Sequence, residues 1–323
     1  MHRRWIAVFL AVIAALPLLA SRGKTQAKQT AGADYIRYVE FNVPQDALRR
    51  ALDWDVRTEG ELGWVELLAQ LACTYGGEWG RYSAEDLERT AQRLMSGDTQ
   101  PHSKYYSYYR EAYQAVLGGL VGDYREQTVQ DGKIVWEQKY GLKAFYPIAA
   151  GYDISHFDDF GVSRSYGYRR RHLGHDMMGQ TGTPIIAIES GTVEIMGWNQ
   201  YGGWRIGIRS EDKKRYWYYA HLRKDHPFQS SLKEGDHVTA GDVIGYMGRT
   251  GYSATENVNN IETTHLHLGL ELIFDESQKE SDNEIWVSLY ALTGLLSQHR
   301  SAVDRVEGQK EYVRRYEFQE ERS

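Results

Sequence analysis

The sequence predicts an α+β chain, with an N-terminal all-α domain, then an antiparallel β-sheet domain, then a C-terminal helix. Three observations carry that expectation. Apolar residues recur at helical spacing from Asn42 to about Val121, with caps and glycine stops where helices need them. After Asp131-Gly132, a turn signal, short β-forming runs alternate with glycines. From Glu284 to Val303 the helical spacing returns, with Trp286, Leu289, Leu292 and Leu296 on its apolar side.

At the start of the chain, His2-Arg3-Arg4 precedes an unbroken apolar stretch, Trp5 to Ala20, which ends at Ser21-Arg22-Gly23-Lys24. A positive start before such a stretch is the pattern of a secretory signal. As a helix the stretch would be about 24 Å long, short of a hydrocarbon core of about 30 Å. Residues 1–23 therefore read as a signal peptide or a short membrane anchor, and residues 24–41 as a linker. The rest of the chain is expected outside the cytoplasm, secreted or anchored, with the membrane touched only through that segment.

Pro44 suits a first helical turn, and Ala47, Leu48, Ala51 and Leu52 recur on one face. Leu62, Leu67, Leu68, Leu71 and Ala72 follow, stopped by Gly76-Gly77. Ser83 with Asp86 three residues later reads as a capping box ahead of Leu87, Ala91 and Leu94. Tyr105 to Leu117 supplies a fourth helix, closed by Gly118-Gly119. Together these predict a helical domain over residues 42–130. Its tyrosines Tyr105, Tyr106, Tyr108 and Tyr109 are expected to pack helix against helix, the other use being a protein partner or a glycan.

The β-rich domain is expected over residues 131–276. Its runs are Ile134 to Trp136, Pro184 to Ile188, Thr192 to Met196, Trp204 to Arg209, Tyr216 to Ala220, Val243 to Tyr246 and His265 to Leu272. Ser210 to Lys214 looks like the loop of a hairpin. Residues 277–323 are read as the C-terminal helix followed by a charged, solvated tail.

Composition narrows the function. With 38 basic against 44 acidic side chains and a net charge of -6, the chain lacks the basic stripe that phosphate binding needs, so no nucleic acid is expected. At 323 residues and 41% hydrophobic it can bury a real core. The single cysteine, Cys73, excludes internal disulfides and any multi-cysteine metal site.

The histidines carry the chemistry. His172-Leu173-Gly174-His175-Asp176 is the first pattern, Tyr219-Ala220-His221-Leu222 the second, and His265-Leu266-His267 the third. In a strand, side chains two apart point to the same side, so His265 and His267 would enter one cleft while Leu266 and Leu268 face the core. Catalytic zinc takes three protein ligands and leaves a position for water. His172, Asp176 and one of His265 or His267 would supply them. The remaining imidazoles, His221 and the other of the pair, titrate near neutrality, which suits a group that moves a proton. The sequence contains no His-Glu-x-x-His, so a histidine must act as the base.

These three motifs, in this order, resemble the M23 family, the lysostaphin/LytM-type zinc endopeptidases of peptidoglycan. Gly191-Thr192-Val193 and the run Gly241 to Gly251 fit as well, and the resemblance covers roughly residues 165 to 272. It implies one Zn2+ held by His172, Asp176 and His267, with His265 as general base and His221 orienting the water or stabilising the oxyanion. It implies peptidoglycan peptides as substrate. Two departures stand out. Tyr252 to Thr264 is longer than the usual link and is expected at the cleft rim, and His175 is an extra imidazole expected to point to solvent. His156, His226, His237 and His299 are expected to have no chemical role. Tyr216, Tyr218, Trp204 and Tyr252 are candidates for a groove lining.

The leading expectation is thus an exported zinc endopeptidase of the cell wall. A catalytically silent, membrane-tethered scaffold of the same fold is the alternative, although every ligand position is filled. A zinc amidase or carboxypeptidase on the same substrate would differ only in its products. The helical domain resembles no family, and it is expected to position the enzyme, recruit a protein partner or occlude the cleft.

Overall fold

Pro44 starts the first helix, since its fixed φ of -69° suits a helical entry. The computed structural model describes residues 35–101, 103–156, 158–165, 169–279 and 281–320. The signal or anchor segment and the first part of the linker lie outside the described residues. Helix α1, Gln45–Arg57, buries Ala47, Leu48 and Ala51. Helix α2, Trp64–Tyr75, is buried on most of its circumference and ends at Gly76, whose φ of +63° is the left-handed conformation glycine adopts without a Cβ penalty. Helix α3, Ala84–Met95, is capped by Ser83 Oγ, which accepts from the Asp86 N–H at 3.2 Å. Helix α4, Tyr106–Leu117, stops at Gly118.

Two boundaries differ from expectation. The end of the predicted linker is no tether: Ile36, Val39 and Phe41 are buried, and the Phe41 ring meets Tyr113 edge-on at 5.3 Å. The helical segment ends at Leu117 rather than near residue 130, because strand β1, Val121–Gln130, pairs along its length with β2, Lys133–Leu142. Of the four tyrosines singled out, Tyr106 packs helix against helix as expected, donating to Glu66 of α2, whereas Tyr108 donates to Tyr38 O at 3.0 Å and Tyr109 lies against Tyr108 and Tyr113 of its own helix. Tyr105 remains exposed.

The strands that follow are short and antiparallel, as their sequence predicts. A small hairpin joins β3, Ser163–Ser165, to β4, Arg169–Arg171. Then come β5, His175–Met178; β6, Pro184–Ile186; β7, Gly191–Asn199; β8, Gly203–Ser210; β9, Arg215–Ala220; β10, His237–Val238; β11, Val243–Tyr246; and β12, His265–Leu272. The main sheet runs β10-β7-β8-β9-β12. The far edge of β12 is shared: β5 pairs with His265 to Leu268, and β13, Ile285–Trp286, with Glu271 and Leu272. Alternation works out as read. Leu266, Leu268, Leu270 and Leu272 are fully buried beneath the sheet, which leaves His265, His267, Gly269 and Glu271 on the other face. The same period on β9 sends Trp217 and Tyr219 into the core and Tyr216, Tyr218 and Ala220 to the opposite face.

The C-terminal helix, α5, is Tyr290–Leu296 and not the whole stretch from Glu284 to Val303. The edge of β12 captures Ile285 and Trp286 as a strand, which forbids helix there. Leu289, Leu292 and Leu296 are buried as their spacing predicts. The tail is also structured. Strand β14, Val303–Arg305, pairs with β15, Tyr312–Arg314, and β16, Phe318–Glu320, adds to β1. Phe318 is buried between Tyr124 and Phe145, and Lys143 Nζ meets Glu320 at 2.7 Å.

Helices and sheet share one core. Leu48, Leu67, Leu71 and Leu117 belong to the same buried cluster as Ile208, Trp217 and Leu270. Across the seam, Arg215 is 2% exposed, donates Nη1 to Ala115 O at 3.0 Å and pairs Nε with Glu189 at 2.7 Å. Asp55 of α1 accepts from Tyr140 Oη at 2.7 Å. Among the described residues no helix is long and apolar enough to cross a membrane.

Candidate metal centre

The register of β12 against β5 sets Asp176 directly opposite His267. His172 reaches the same point from the turn before β5, held by its N–H to Val162 O at 2.9 Å and by Gly161 N–H to its carbonyl at 2.7 Å. Three side-chain atoms converge. His172 Nε2 lies 3.1 Å from Asp176 Oδ1 and 3.2 Å from His267 Nδ1, and His267 Nδ1 lies 2.8 Å from Asp176 Oδ1. Bonds of about 2.0–2.1 Å in a tetrahedral zinc site put its donors about 3.4 Å apart. Two imidazole nitrogens and one carboxylate oxygen at close to that spacing fit one zinc ion. Gly174 makes room for it: a Cβ there would meet the His267 ring and lie 2.8 Å from Leu268 O.

Charge agrees with geometry. Burial works to raise the Asp176 carboxyl, but hydrogen bonds from His172 and His267 hold it well below the usual carboxylate range. Burial lowers His267, outweighing Asp176, so this imidazole is kept neutral with a lone pair to give.

Two residues without any sequence motif support this set. Asp159 Oδ1 accepts the His172 Nδ1 proton at 2.7 Å, which fixes Nε2 as the lone-pair nitrogen. Arg164 of β3 donates to Asp176 Oδ2 at 2.7 Å and to Asp159 as well. Burial would raise Asp159, but Arg164 and His172 hold it below its ordinary value. Tyr290 of α5 reaches Asp159 Oδ1 at 3.3 Å, so the C-terminal helix buttresses the site. Asp159 lies 13 residues before His172. No strand or helix period links the two, so only the folded chain brings them together.

The other two predicted histidines lie beside the three. His265 Nδ1–H donates to Thr263 O at 2.8 Å, and its Nε2 is 3.8 Å from Asp176 Oδ2. His221 Nδ1–H donates to Thr250 O at 2.9 Å, and its ring centroid is 4.7 Å from that of His265. Each backbone carbonyl takes the Nδ1 proton and leaves Nε2 as the acceptor. Burial first, then His265 and His267, push His221 well below the ordinary histidine range.

His175 corrects the sequence reading. It is fully buried and not solvent-facing, stacked on Tyr290 at 3.9 Å and bonded to His156 Nδ1 at 2.9 Å and Thr293 Oγ1 at 3.0 Å. Burial pushes it down to about 3. The register explains it: Asp176 turns toward His267, so its neighbour on β5 must point the other way.

A cleft of about 420 Å³ opens over His172, His221 and His267. Tyr216, Tyr218 and Tyr252 line it, as does Trp286. Trp204 does not; its ring packs edge-on against Trp198 and Phe228, and its Nε1 donates to Asn257 at 2.9 Å. Tyr252 is the one residue of the 252–264 insertion in the lining. The residues that line the cleft all come from 164–286, so the helices do not occlude it.

The comparisons with known proteins agree with this geometry. Residues 170–280 match Peptidase family M23. The chain is 38% identical over 165 residues to an L-Ala–D-Glu endopeptidase of Bacillus subtilis, a match covering 51% of this chain and 47% of that protein. It is 39% identical over 89 residues to lysostaphin of Staphylococcus staphylolyticus, covering 27% of this chain and 18% of that one. The matches thus span less than half the length of these relatives. A crystal structure from Ruminococcus gnavus, of a candidate glycyl-glycine endopeptidase lytM, shares the fold with a TM-score of 0.53 at 24% identity, covering 80% of this chain and 90% of that one. The stretch that matches peptidase family M23, residues 170–280, is thus the one that brings His172, Asp176 and His267 together.

Proposed function

We propose that the chain is an exported zinc endopeptidase that hydrolyses peptide bonds in the stem or cross-bridge peptides of peptidoglycan. The observation that carries this reading is the convergence of His172 Nε2, Asp176 Oδ1 and His267 Nδ1 at the floor of an open cleft, with His265 and His221 beside them. In this reading those three residues hold one zinc ion. Such an ion would supply Lewis-acid polarisation and lower the pKa of a bound water to about 7.

The chain's own residues do the rest. His265 Nε2, a lone-pair acceptor, takes the proton of the attacking water and returns it to the leaving amine as the C–N bond breaks. His221, neutral and also an acceptor at Nε2, orients that water. It stabilises an oxyanion only after gaining a proton, since its other nitrogen is committed to Thr250 O. Tyr216, Tyr218, Tyr252 and Trp286 flank an extended peptide. Extracytoplasmic placement, through residues 1–23, matches a substrate found outside the cytoplasmic membrane.

The test compares zinc content and release of free amines from purified peptidoglycan for the wild type and His265→Ala. The expected outcome is about one zinc in both and loss of roughly a hundredfold or more of the activity in the variant. Full zinc in both without cleavage by either would favour the scaffold reading. No zinc in the wild type would refute the metal centre. The masses of the released fragments separate an endopeptidase from an amidase or carboxypeptidase.

A further inference from the structure

The cleft extends past the histidines. Glu271 follows His267 on the same face of β12, and four residues at about 3.3 Å each set it about 13 Å along the strand. Tyr216 stands opposite Glu271 on β9, and Trp286 opposite it on β13. Gly269 keeps the floor low between them, since a Cβ there would lie 2.6 Å from the Trp286 ring.

Glu271 is 2% exposed and lines the cleft, yet its Oε1 has no hydrogen-bond partner. A carboxyl oxygen stripped of water and left without a partner is costly, and such groups in native proteins call for an explanation. The neighbouring cations are bonded to other acids, and the pull of Arg209 and Lys279 on Glu271 falls short of the effect of its burial. Lys279 Nζ pairs with Glu194, and Arg209 pairs with Glu194 and Glu276. Arg205 lines the cleft from β8 on the row of Ala220 and His267, two strands across and four residues along from Glu271, about 16 Å away. Nearer to Glu271 is another acid, Glu284, at the same end of the cleft. Burial, and then Glu284, push the Glu271 carboxyl up to about 8.

We propose that this end of the cleft is a specificity subsite in which Glu271, aided by Glu284, receives a primary ammonium group on a side chain of the substrate peptide. An ammonium donates three hydrogen bonds, one of which can meet the unpartnered Glu271 Oε1, and adds positive charge beside Glu271 and Glu284. Tyr216 and Trp286 flank the aliphatic stem that carries it. The separation of about 13 Å suits a side chain some two residues from the scissile bond, reached by extended backbone and the length of the side chain. The inference rests on the peptidase reading of the metal centre.

The zinc-loaded full chain is offered the peptide L-Ala-γ-D-Glu-L-Lys-D-Ala and the same peptide acetylated at the lysine Nε. Acetylation is expected to lower kcat/KM by about tenfold or more, and Glu271→Gln to shrink that gap below about threefold. Glu284→Gln, at an exposed position, is expected to narrow the gap in part and serves if Glu271→Gln does not fold. Equal turnover of the two peptides by the wild type would overturn the subsite. So would preference for the acetylated one, which would make Glu271 a protonated donor to a carbonyl. If neither peptide is cleaved, it is the peptidase reading that fails for these bonds, and calorimetric Kd values decide the subsite. Tighter binding of the amine peptide, lost in Glu271→Gln, would sustain it. Equal or absent binding would reject it.

Discussion

Asp159 accepts the His172 Nδ1 proton at 2.7 Å and thereby decides which imidazole nitrogen faces the metal position. Removing such a carboxylate typically costs about 10–100-fold in metal affinity. Asp159→Ala is therefore expected to weaken zinc binding by about that factor, read by chelator competition on the folded protein. Unchanged affinity would mean that His172 is oriented by its backbone alone. The sequence marks His265 and His267 because period two is a property of any strand. It does not mark Asp159 or Arg164, whose approach depends on a loop and a hairpin folding back over β5.

At the scale of elements, β12 serves two ends of one cleft, and its far end titrates. The Glu271 carboxyl is raised from 4.5 to about 8, so between those values the folded chain keeps a proton that the unfolded chain has released. Stability from this site is thus full below the unfolded value and is lost as pH rises toward 8. Glu271→Gln is expected to gain on the wild type by about 1–3 kcal/mol between about pH 5 and pH 8, measured by urea unfolding across that range. Parallel curves would show that Glu271 titrates normally. The seam between α4 and β9 makes a second prediction. Arg215 neutralises the buried Glu189, and Arg215→Ala strands that carboxylate, so a loss of about 3–5 kcal/mol is expected by the same measurement. A loss below about 1 kcal/mol would mean that water reaches Glu189.

For the whole molecule, the helices and the sheet stand or fall together. Residues 133–323 alone would expose the apolar face on which Leu117 and its neighbours now pack. This shorter chain is expected to aggregate or to lose its near-UV circular dichroism. A folded fragment with higher peptidase activity than the full chain would revive the idea that the helices restrain the enzyme.

What the sequence determined by itself was everything that depends on local period and local chemistry. The four N-terminal helices, the strands from Pro184 to Leu272 other than the short β10, and the His265/His267 face all follow from spacing. The three histidine-bearing motifs carry the family likeness without any fold. Only the tertiary structure decided where independent segments meet. The pairing of β5 with β12 turns His175 inward and Asp176 onto His267. The free edge of β12 makes Trp286 a strand residue, and the edge of β1 orders the charged tail. Strand edges take partners from anywhere in the chain, because an unpaired N–H or C=O is satisfied by any strand that reaches it.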